Sequence, residues 1–324
     1  MKIREPEYYS KFKCIADRCP DTCCRYWQVE LDEGAFSTVC AHKNDSDFRE
    51  VKVKGRRSNA VILPNKNGNC PFLEDSLLCG LYKKVGHDNL PRTCRLYPRF
   101  INTFGGYEER GLSFSCPAAA ELIFENKHNF NETINEEPIT SFTDVDAESF
   151  KTVKEVRDYL IDYISCSDLP LNELVSAILV YAKKTQYNLE KGQFSSAINL
   201  RITENYEPFY YSKKLFNKTV SLHLRNSILR NEWKSTLISS SYEIGYEDVS
   251  SFKTWFNYFI YRYLIRCADE LDFLSVIKAA ILSYFLISRL GEDQRLSMQL
   301  YSKETEHNQR NIERLFGFAK RTKI

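Results

Sequence analysis

The chain places four thiols in Cys14-Ile15-Ala16-Asp17-Arg18-Cys19-Pro20-Asp21-Thr22-Cys23-Cys24, and the rest of the sequence is organised around this stretch. Four more cysteines follow it, and they are Cys70, Cys79, Cys94 and Cys116. Thiolate sulfur is a soft ligand that selects zinc, Cu(I) or iron–sulfur clusters. We therefore predict that these eight cysteines form the ligand set of a metal centre, whereas Cys40, Cys166 and Cys267 are ordinary thiols.

The compartment expected for the chain supports metal ligation. The first seven residues contain acids and a proline where a signal peptide needs an apolar run. No apolar stretch reaches the 18 residues that a membrane span requires. The sequence thus predicts a cytoplasmic protein without a membrane partner. Structural disulfides are rare in the cytosol, so dense cysteines there favour a metal.

The overall charge and the glycine content exclude other functions. The chain has 45 Lys and Arg against 43 Asp and Glu, a formal charge of +2, which gives no argument for a nucleic-acid partner. It has 12 glycines. Because no glycine-rich phosphate loop is present, a dinucleotide-binding domain is not expected.

The cysteine spacing favours a cluster over a single zinc ion. Zinc sites usually show paired Cys-x2-Cys or Cys/His arms, and the five histidines show no such spacing; His87 fits a turn. A cluster accepts ligands that are far apart in sequence. The adjacent Cys23 and Cys24 cannot easily bind one ion together. One cluster with spare thiols is favoured; two centres, or zinc, are the alternatives.

The hydrophobic pattern predicts an α+β protein: an N-terminal cysteine-rich metal-binding region with a small antiparallel sheet, then a mainly α-helical C-terminal region. We place the cysteine-rich region at 1–125, a connection at 126–148 and the helical region at 149–324. Short alternating segments predict strands, and these are 27–32, 51–55 and 60–64. Apolar residues at helical spacing predict helices, and these are 150–164, 171–179 (capped by Asp168), 252–267, 273–290 and 300–317.

Several of these motifs together resemble a known family. The motifs are Tyr9-Ser10-Lys11-Phe12-Lys13-Cys14-Ile15, Asp21-Thr22-Cys23-Cys24 with Trp27 and Val29, Cys70-Pro71-Phe72-Leu73, Cys79, Leu90-Pro91-Arg92-Thr93-Cys94, Tyr97-Pro98-Arg99 and Ser115-Cys116-Pro117. Over residues 8–120 the chain resembles the flagellin lysine-N-methylase (FliB-type) family, which is related to cysteine-rich iron- or zinc-chelating proteins of the YkgJ type. The resemblance implies a [4Fe-4S] cluster on some of the cysteines. It also implies methyl transfer from S-adenosylmethionine to lysines of flagellin.

Candidate roles for other residues follow from this chemistry. Tyr97 or Trp27 could pack against the donor sulfonium or the lysine stem, and Arg99 could pair with the donor carboxylate. Methylation needs a neutral amine, so Glu108 or Glu109 could accept the proton of the lysine ammonium. The alternative is a non-catalytic cysteine-rich scaffold, holding zinc or a cluster, that binds a partner protein.

Overall fold

The structure is a computed structural model that describes residues 2–46, 51–55, 60–126, 129–134, 146–203, 207–227 and 230–324. Within these ranges no helix is both long enough and apolar enough to cross a membrane. The strands are β1 (Lys2–Pro6), β2 (Val29–Glu30), β3 (Val53–Lys54), β4 (Val61–Ile62), β5 (Arg99–Phe104), β6 (Tyr107–Leu112) and β7 (Phe130–Ile134). The predicted α+β class, with a small antiparallel sheet near the N-terminus and a mostly helical C-terminal part, is confirmed.

The predicted small sheet consists of β2, β4 and β3 in that order, all antiparallel. Its three strands lie inside the three predicted segments but are only two residues long each. The sheet packs on a small hydrophobic core of its own, which we call the small core. The small core contains Val29, Leu31, Ala35, Val39, Ala60, Ile62, Phe72, Leu81 and Leu90.

A second sheet, which we did not predict, has the order β5-β6-β1-β7. β1 runs parallel to β6, and the other neighbours are antiparallel. β7 lies inside the predicted connection at 126–148, where the polar sequence Phe130–Ile134 gave no strand pattern. Its pairing with β1 supplies the backbone hydrogen bonds that make it a strand.

The helices of the described chain begin early and dominate its second half. They are α1 (Glu33–His42), α2 (Gly80–Val85), α3 (Arg92–Leu96), α4 (Pro117–Glu125), α5 (Ala147–Cys166), α6 (Leu171–Glu190), α7 (Phe194–Asn199), α8 (Lys213–Leu224), α9 (Asn231–Ser239), α10 (Val249–Tyr263), α11 (Phe273–Ile287), α12 (Gln294–Glu306) and α13 (Gln309–Arg321). α11 is predominantly apolar, and all of its residues except Leu274 are buried. It is the centre of a large hydrophobic core, to which the four-stranded sheet also contributes.

Two details of the predicted helices are wrong. The single helix expected at 300–317 is two helices, because Asn308 accepts a hydrogen bond from the Arg310 amide (3.0 Å) and so starts α13. Asp168 does not cap α6. The N-cap residue of that helix is Pro170, with no side-chain hydrogen bond to the helix.

A buried ion pair joins the four-stranded sheet to the helices. The Arg157 guanidinium of α5 donates to both oxygens of Glu109 on β6, at 2.7 and 2.6 Å. Both side chains are completely buried, and Tyr107 Oη donates to the same carboxylate (3.0 Å). Since a buried charge is stable only with a partner, this contact fixes the position of the sheet against α5.

Candidate functional site

Two backbone contacts bring the first cysteine cluster to Cys70. The Cys70 amide donates to the Cys24 carbonyl (2.8 Å), and the Tyr26 amide donates to the Gly68 carbonyl (2.7 Å). Gly68 has a φ of +77°, and a Cβ atom there would lie 2.6 Å from the Tyr26 ring. Only glycine allows both the left-handed backbone and this close approach.

Two short helices position the next two cysteines, Cys79 and Cys94. Cys79 is the N-cap of α2, where its sulfur accepts from the Tyr82 amide (3.4 Å). Cys94 lies on α3, which begins beside Asp32 because the Arg92 amide donates to that carboxylate (2.7 Å). The other oxygen of Asp32 caps α1. One carboxylate therefore sets the start of two helices, and these backbone N–H donors lower its pKa.

Five thiols converge between these elements, and we call them the five-thiol group: Cys23, Cys24, Cys70, Cys79 and Cys94. Hydrogen bonds with Cys24 lower the pKa of Cys23 and bring the pKa of Cys79 to about 7. The same bonds, together with burial, raise the pKa of Cys24 well above its usual value. Burial raises the pKa of Cys70 to about 12 and raises the pKa of Cys94 well above its usual value.

The remaining three predicted ligands, Cys14, Cys19 and Cys116, lie within electrostatic range of one another. We call them the three-thiol group. Cys19 also interacts with Cys23, so the two groups are neighbours. Burial raises the pKa of Cys116, at the start of α4, to about 12. Cys14 and Cys23 are exposed at the surface.

The thiols are close together, but they are not arranged as a ligand cage. Among the described residues, no three His, Cys, Asp or Glu side chains are placed to hold one metal ion. The chemistry of the donors nevertheless fits a thiophilic metal, because the five-thiol group presents several soft sulfur atoms within interaction range of one another.

Three aromatic rings, those of Trp27, Tyr97 and His307, lie beside the thiols. The Trp27 indole donates from Nε1 to the Cys23 carbonyl (2.5 Å). Its ring stacks on His307 at 4.9 Å and lies 5.5 Å from Tyr97. Burial and the nearby cations Arg262, Lys303 and Arg230 lower the pKa of His307 to about 3, so the imidazole is neutral at physiological pH.

A chain of hydrogen bonds runs from Tyr97 into the helical half. Tyr97 Oη contacts Ser115 Oγ (3.1 Å), which contacts Ser113 Oγ (2.9 Å). Ser113 reaches Glu306 at the end of α12 (3.5 Å). Tyr258 donates to the Glu306 carboxylate at 2.6 Å, and Arg262 at 3.1 Å. This buried network fixes the end of α12 beside the thiols.

A cleft of about 1070 Å³ opens next to this site. One wall comes from the cysteine-rich part, including Asp21 and Tyr26, and the other from the helical half, including Arg230, Glu232 and Lys303. Asp21 forms ion pairs with Lys303 and with Arg230 (3.2 Å) across it. Burial lowers the pKa of Lys303 to about 8, against the opposing effects of Cys19 and Glu304.

The other predicted site residues lie on the four-stranded sheet. Arg99 is positioned over the rings of Phe12 and Tyr9, at 4.9 and 5.6 Å. Glu108 accepts from Arg110 Nε (2.6 Å), and both oxygens of Glu109 are held by Arg157. Their assignment to the donor carboxylate and to the lysine proton stays a prediction.

Sequence reasoning missed several residues of the site, among them Asp21 within the cysteine stretch, Arg230 and Glu232 on the helical wall of the cleft, and Lys303, Glu306 and His307 at the end of α12. Asp21 belongs to the motif Asp21-Thr22-Cys23-Cys24, and its negative charge was the one signal that could have identified it. The three from α12 follow an ordinary amphipathic pattern, and only the tertiary contact with Trp27 and Asp21 identifies them.

No protein-family model matches the chain, and no solved structure matches it. Over 134 residues it is 28% identical to proteins of Salmonella typhimurium and Salmonella choleraesuis that are both named Lysine-N-methylase. It is 29% identical over 134 residues to the Flagellar biosynthetic protein FliU of Salmonella muenchen. Each match covers 39% of this chain; it spans 33% of either lysine-N-methylase and 79% of FliU. Over that segment the chain is similar to the lysine-N-methylases and to FliU, and the resemblance deduced from its motifs is thereby confirmed.

Proposed function

We propose that this protein transfers a methyl group from S-adenosylmethionine to lysine side chains of a protein, and that flagellin is the substrate. The observation that carries the proposal is the similarity to two proteins named Lysine-N-methylase. The name of FliU supports a flagellar context for the substrate. The chain would act in the cytoplasm.

We propose further that the five-thiol group holds a metal centre, with a [4Fe-4S] cluster as the favoured form and zinc as the alternative. The support is the convergence of soft donors from distant parts of the sequence, Cys23 and Cys24 on one side and Cys70, Cys79 and Cys94 on the other. The three-thiol group lies beside it as spare ligands or as a second set. When bound, such a cluster supplies a Lewis-acidic iron that can hold an amino-carboxylate group.

The cleft supports a role in binding both reactants. Its volume of about 1070 Å³ is at the upper end of ordinary ligand sites. Trp27 and Tyr97 lie near the thiols but do not line the cleft; aromatic ring faces attract a sulfonium or an ammonium. The chain would thus hold the two reactants in line, which is the main requirement of a methyl transfer.

The transfer breaks the bond between the sulfonium sulfur and the methyl carbon and forms a bond from the lysine nitrogen to that carbon. The donor leaves as a neutral thioether. The lysine must first lose a proton, since only the neutral amine carries a lone pair. Glu232 lines the cleft without an ion pair among the described residues, and it is a candidate acceptor beside the predicted Glu108 and Glu109.

The test uses the full chain, purified without oxygen. Iron and zinc are measured per chain, and the protein is then incubated with flagellin and S-adenosylmethionine. Mass spectrometry of flagellin peptides should show lysines heavier by one methyl group or more. Cys79→Ser should lose both the metal and the activity, whereas Cys166→Ser, an exposed thiol on α5, should keep both.

The two parts of the proposal fail separately. A metal-loaded protein that leaves every lysine unmodified would favour the scaffold alternative. A methylating protein whose metal content is unchanged by Cys79→Ser would remove the five-thiol group from the proposal and leave the transferase in place.

A further inference from the structure

A basic groove lies on the helical half, outside the cleft and the thiols. It has a volume of about 770 Å³ and runs between α8 and the end of α13. Its α8 side comes from one face of the helix, from Lys213 to Arg225 just beyond its end. Leu222 and Phe318, both half-buried, form its apolar floor.

The charge of the groove has one sign. Five of its nine lining residues are Lys or Arg, and no acid of the described chain lines it. Lys213 is paired with Glu243 at 2.6 Å. Lys214, Lys218, Arg225 and Arg321 are exposed and form no ion pair within the described residues. Since the whole chain carries a charge of only +2, this cluster is a local concentration of positive charge.

The spacing of these cations fits an extended chain. Lys214 and Lys218 are four residues apart on α8, a rise of about 6 Å. In an extended peptide the side chains on one face repeat every ~6.6 Å. Arg225 lies about 16 Å from Lys214 along the same direction, which about five extended residues would span. An aliphatic side chain between the acids would meet Leu222.

We propose that this groove binds an acidic, extended segment of a partner protein, with Glu or Asp at alternate positions around one aliphatic residue. The inference is independent of the methyl transfer proposed above. A protein segment is favoured over a nucleic acid because the floor is apolar and no fully exposed aromatic ring offers a stacking platform among the lining residues. The groove is also short, because it extends only along α8 and the end of α13.

The test measures fluorescence anisotropy of a short labelled peptide in which Glu alternates with Gly around one Leu. The full chain should bind it at low ionic strength, and a matched peptide with Gln in place of every Glu should bind at least about tenfold more weakly. Lys218→Glu/Arg225→Glu should weaken binding about tenfold, and Lys218→Gln/Arg225→Gln by less. The control Lys184→Glu/Lys234→Glu changes two exposed lysines outside the groove and should bind as the unmodified protein does.

Thermal unfolding of each variant confirms that the exposed substitutions leave the fold intact. Equal binding of the Glu and Gln peptides would overturn the proposal, and so would unchanged binding by the folded Lys218→Glu/Arg225→Glu variant. A single-stranded oligonucleotide that bound more tightly at the same salt and displaced the peptide would also overturn it, and would make the groove a nucleic-acid site.

Discussion

The indole of Trp27 stacks on the imidazole of His307, with ring centroids 4.9 Å apart and planes inclined by 25°. These residues are separated by most of the chain, and their contact joins the cysteine-rich part to the end of α12. His307 is neutral here because burial lowers its pKa to about 3. The stack therefore presents an uncharged aromatic surface beside the thiols.

This arrangement predicts how Trp27 affects donor binding. Trp27→Ala should weaken S-adenosylmethionine binding about tenfold, because a desolvated cation–π contact contributes about 1–2 kcal/mol. Binding of S-adenosylhomocysteine, which lacks the positive charge, should change much less. Calorimetric titration of both ligands measures the difference. Trp27→Phe keeps a ring face and is the control; equal losses for the two ligands would contradict a role for Trp27 at the sulfonium.

The Glu109–Arg157 pair predicts a large stability effect. Glu109→Gln should lower the free energy of unfolding by about 3 kcal/mol, because it leaves the fully buried Arg157 with one partner fewer. Urea unfolding measures the change. The control is Glu108→Gln, whose side chain is paired with the partly exposed Arg110 and should cost less. A Glu109→Gln protein of normal stability that had lost methyl transfer would instead support the predicted proton-accepting role.

The tight packing of Gly68 predicts that replacing it will affect both stability and the position of the neighbouring thiols. A residue other than glycine in a left-handed backbone conformation costs about 1–2 kcal/mol. Gly68→Ala should lower the free energy of unfolding by more than this, because the new Cβ would also meet the Tyr26 ring. The loss should be accompanied by a lower metal content, since the contact between 24–26 and 68–70 positions Cys24 and Cys70. Gly192→Ala is a matched control: it follows the end of α6, its φ is +64°, and a Cβ there meets nothing within 4 Å. Equal effects of the two substitutions would exclude the Tyr26 contact as the cause.

The burial of His223 predicts that the free energy of unfolding depends on pH. Burial lowers the pKa of His223 from 6.5 to about 3, so the unfolded chain binds the proton more tightly than the folded one. The stabilisation is complete above pH 6.5 and is lost as the pH falls toward 3, by at most about 1.4 kcal/mol per pH unit. Urea unfolding of His223→Gln between pH 7 and 4.5 should show a shallower dependence.

The imidazole of His87 is well exposed and beside Asp88, so His87→Gln is the control and should follow the unmodified protein. His307 titrates in the same direction as His223, and a residual slope in His223→Gln is therefore expected. An unchanged slope in that variant would contradict the neutral, buried state of His223.

Local patterns in the sequence account for much of the fold. The apolar stripe Phe252, Trp255, Phe256 and Phe259 recurs at helical spacing and forms part of the buried surface of α10. The alternating segments around Val29, Val53 and Val61 became the small sheet. In each case neighbouring residues along the chain carry the whole signal.

Contacts between distant segments could not be predicted in this way. β1 is a strand because it pairs with β6 and β7, more than a hundred residues away. Lys303 and His307 join the site through Asp21 and Trp27, and nothing in the residues around them indicates this. The thiols were found because cysteine is rare and chemically distinctive, whereas the surrounding carboxylates, rings and cations resemble those of any surface or core.

The separation of the small core from the large one has a consequence for assembly of the protein. Among the described residues, nine buried side chains form the small core around Cys70, Cys79 and Cys94, far fewer than surround α11. A metal bound by those sulfurs would act as a cross-link that compensates for the scarcity of apolar burial. On heating the protein stripped of metal, we expect the cysteine-rich part to melt first and the helices later, and metal loading should merge the two events. The supply of metal would then determine what fraction of the newly synthesised chains reaches the fully folded state.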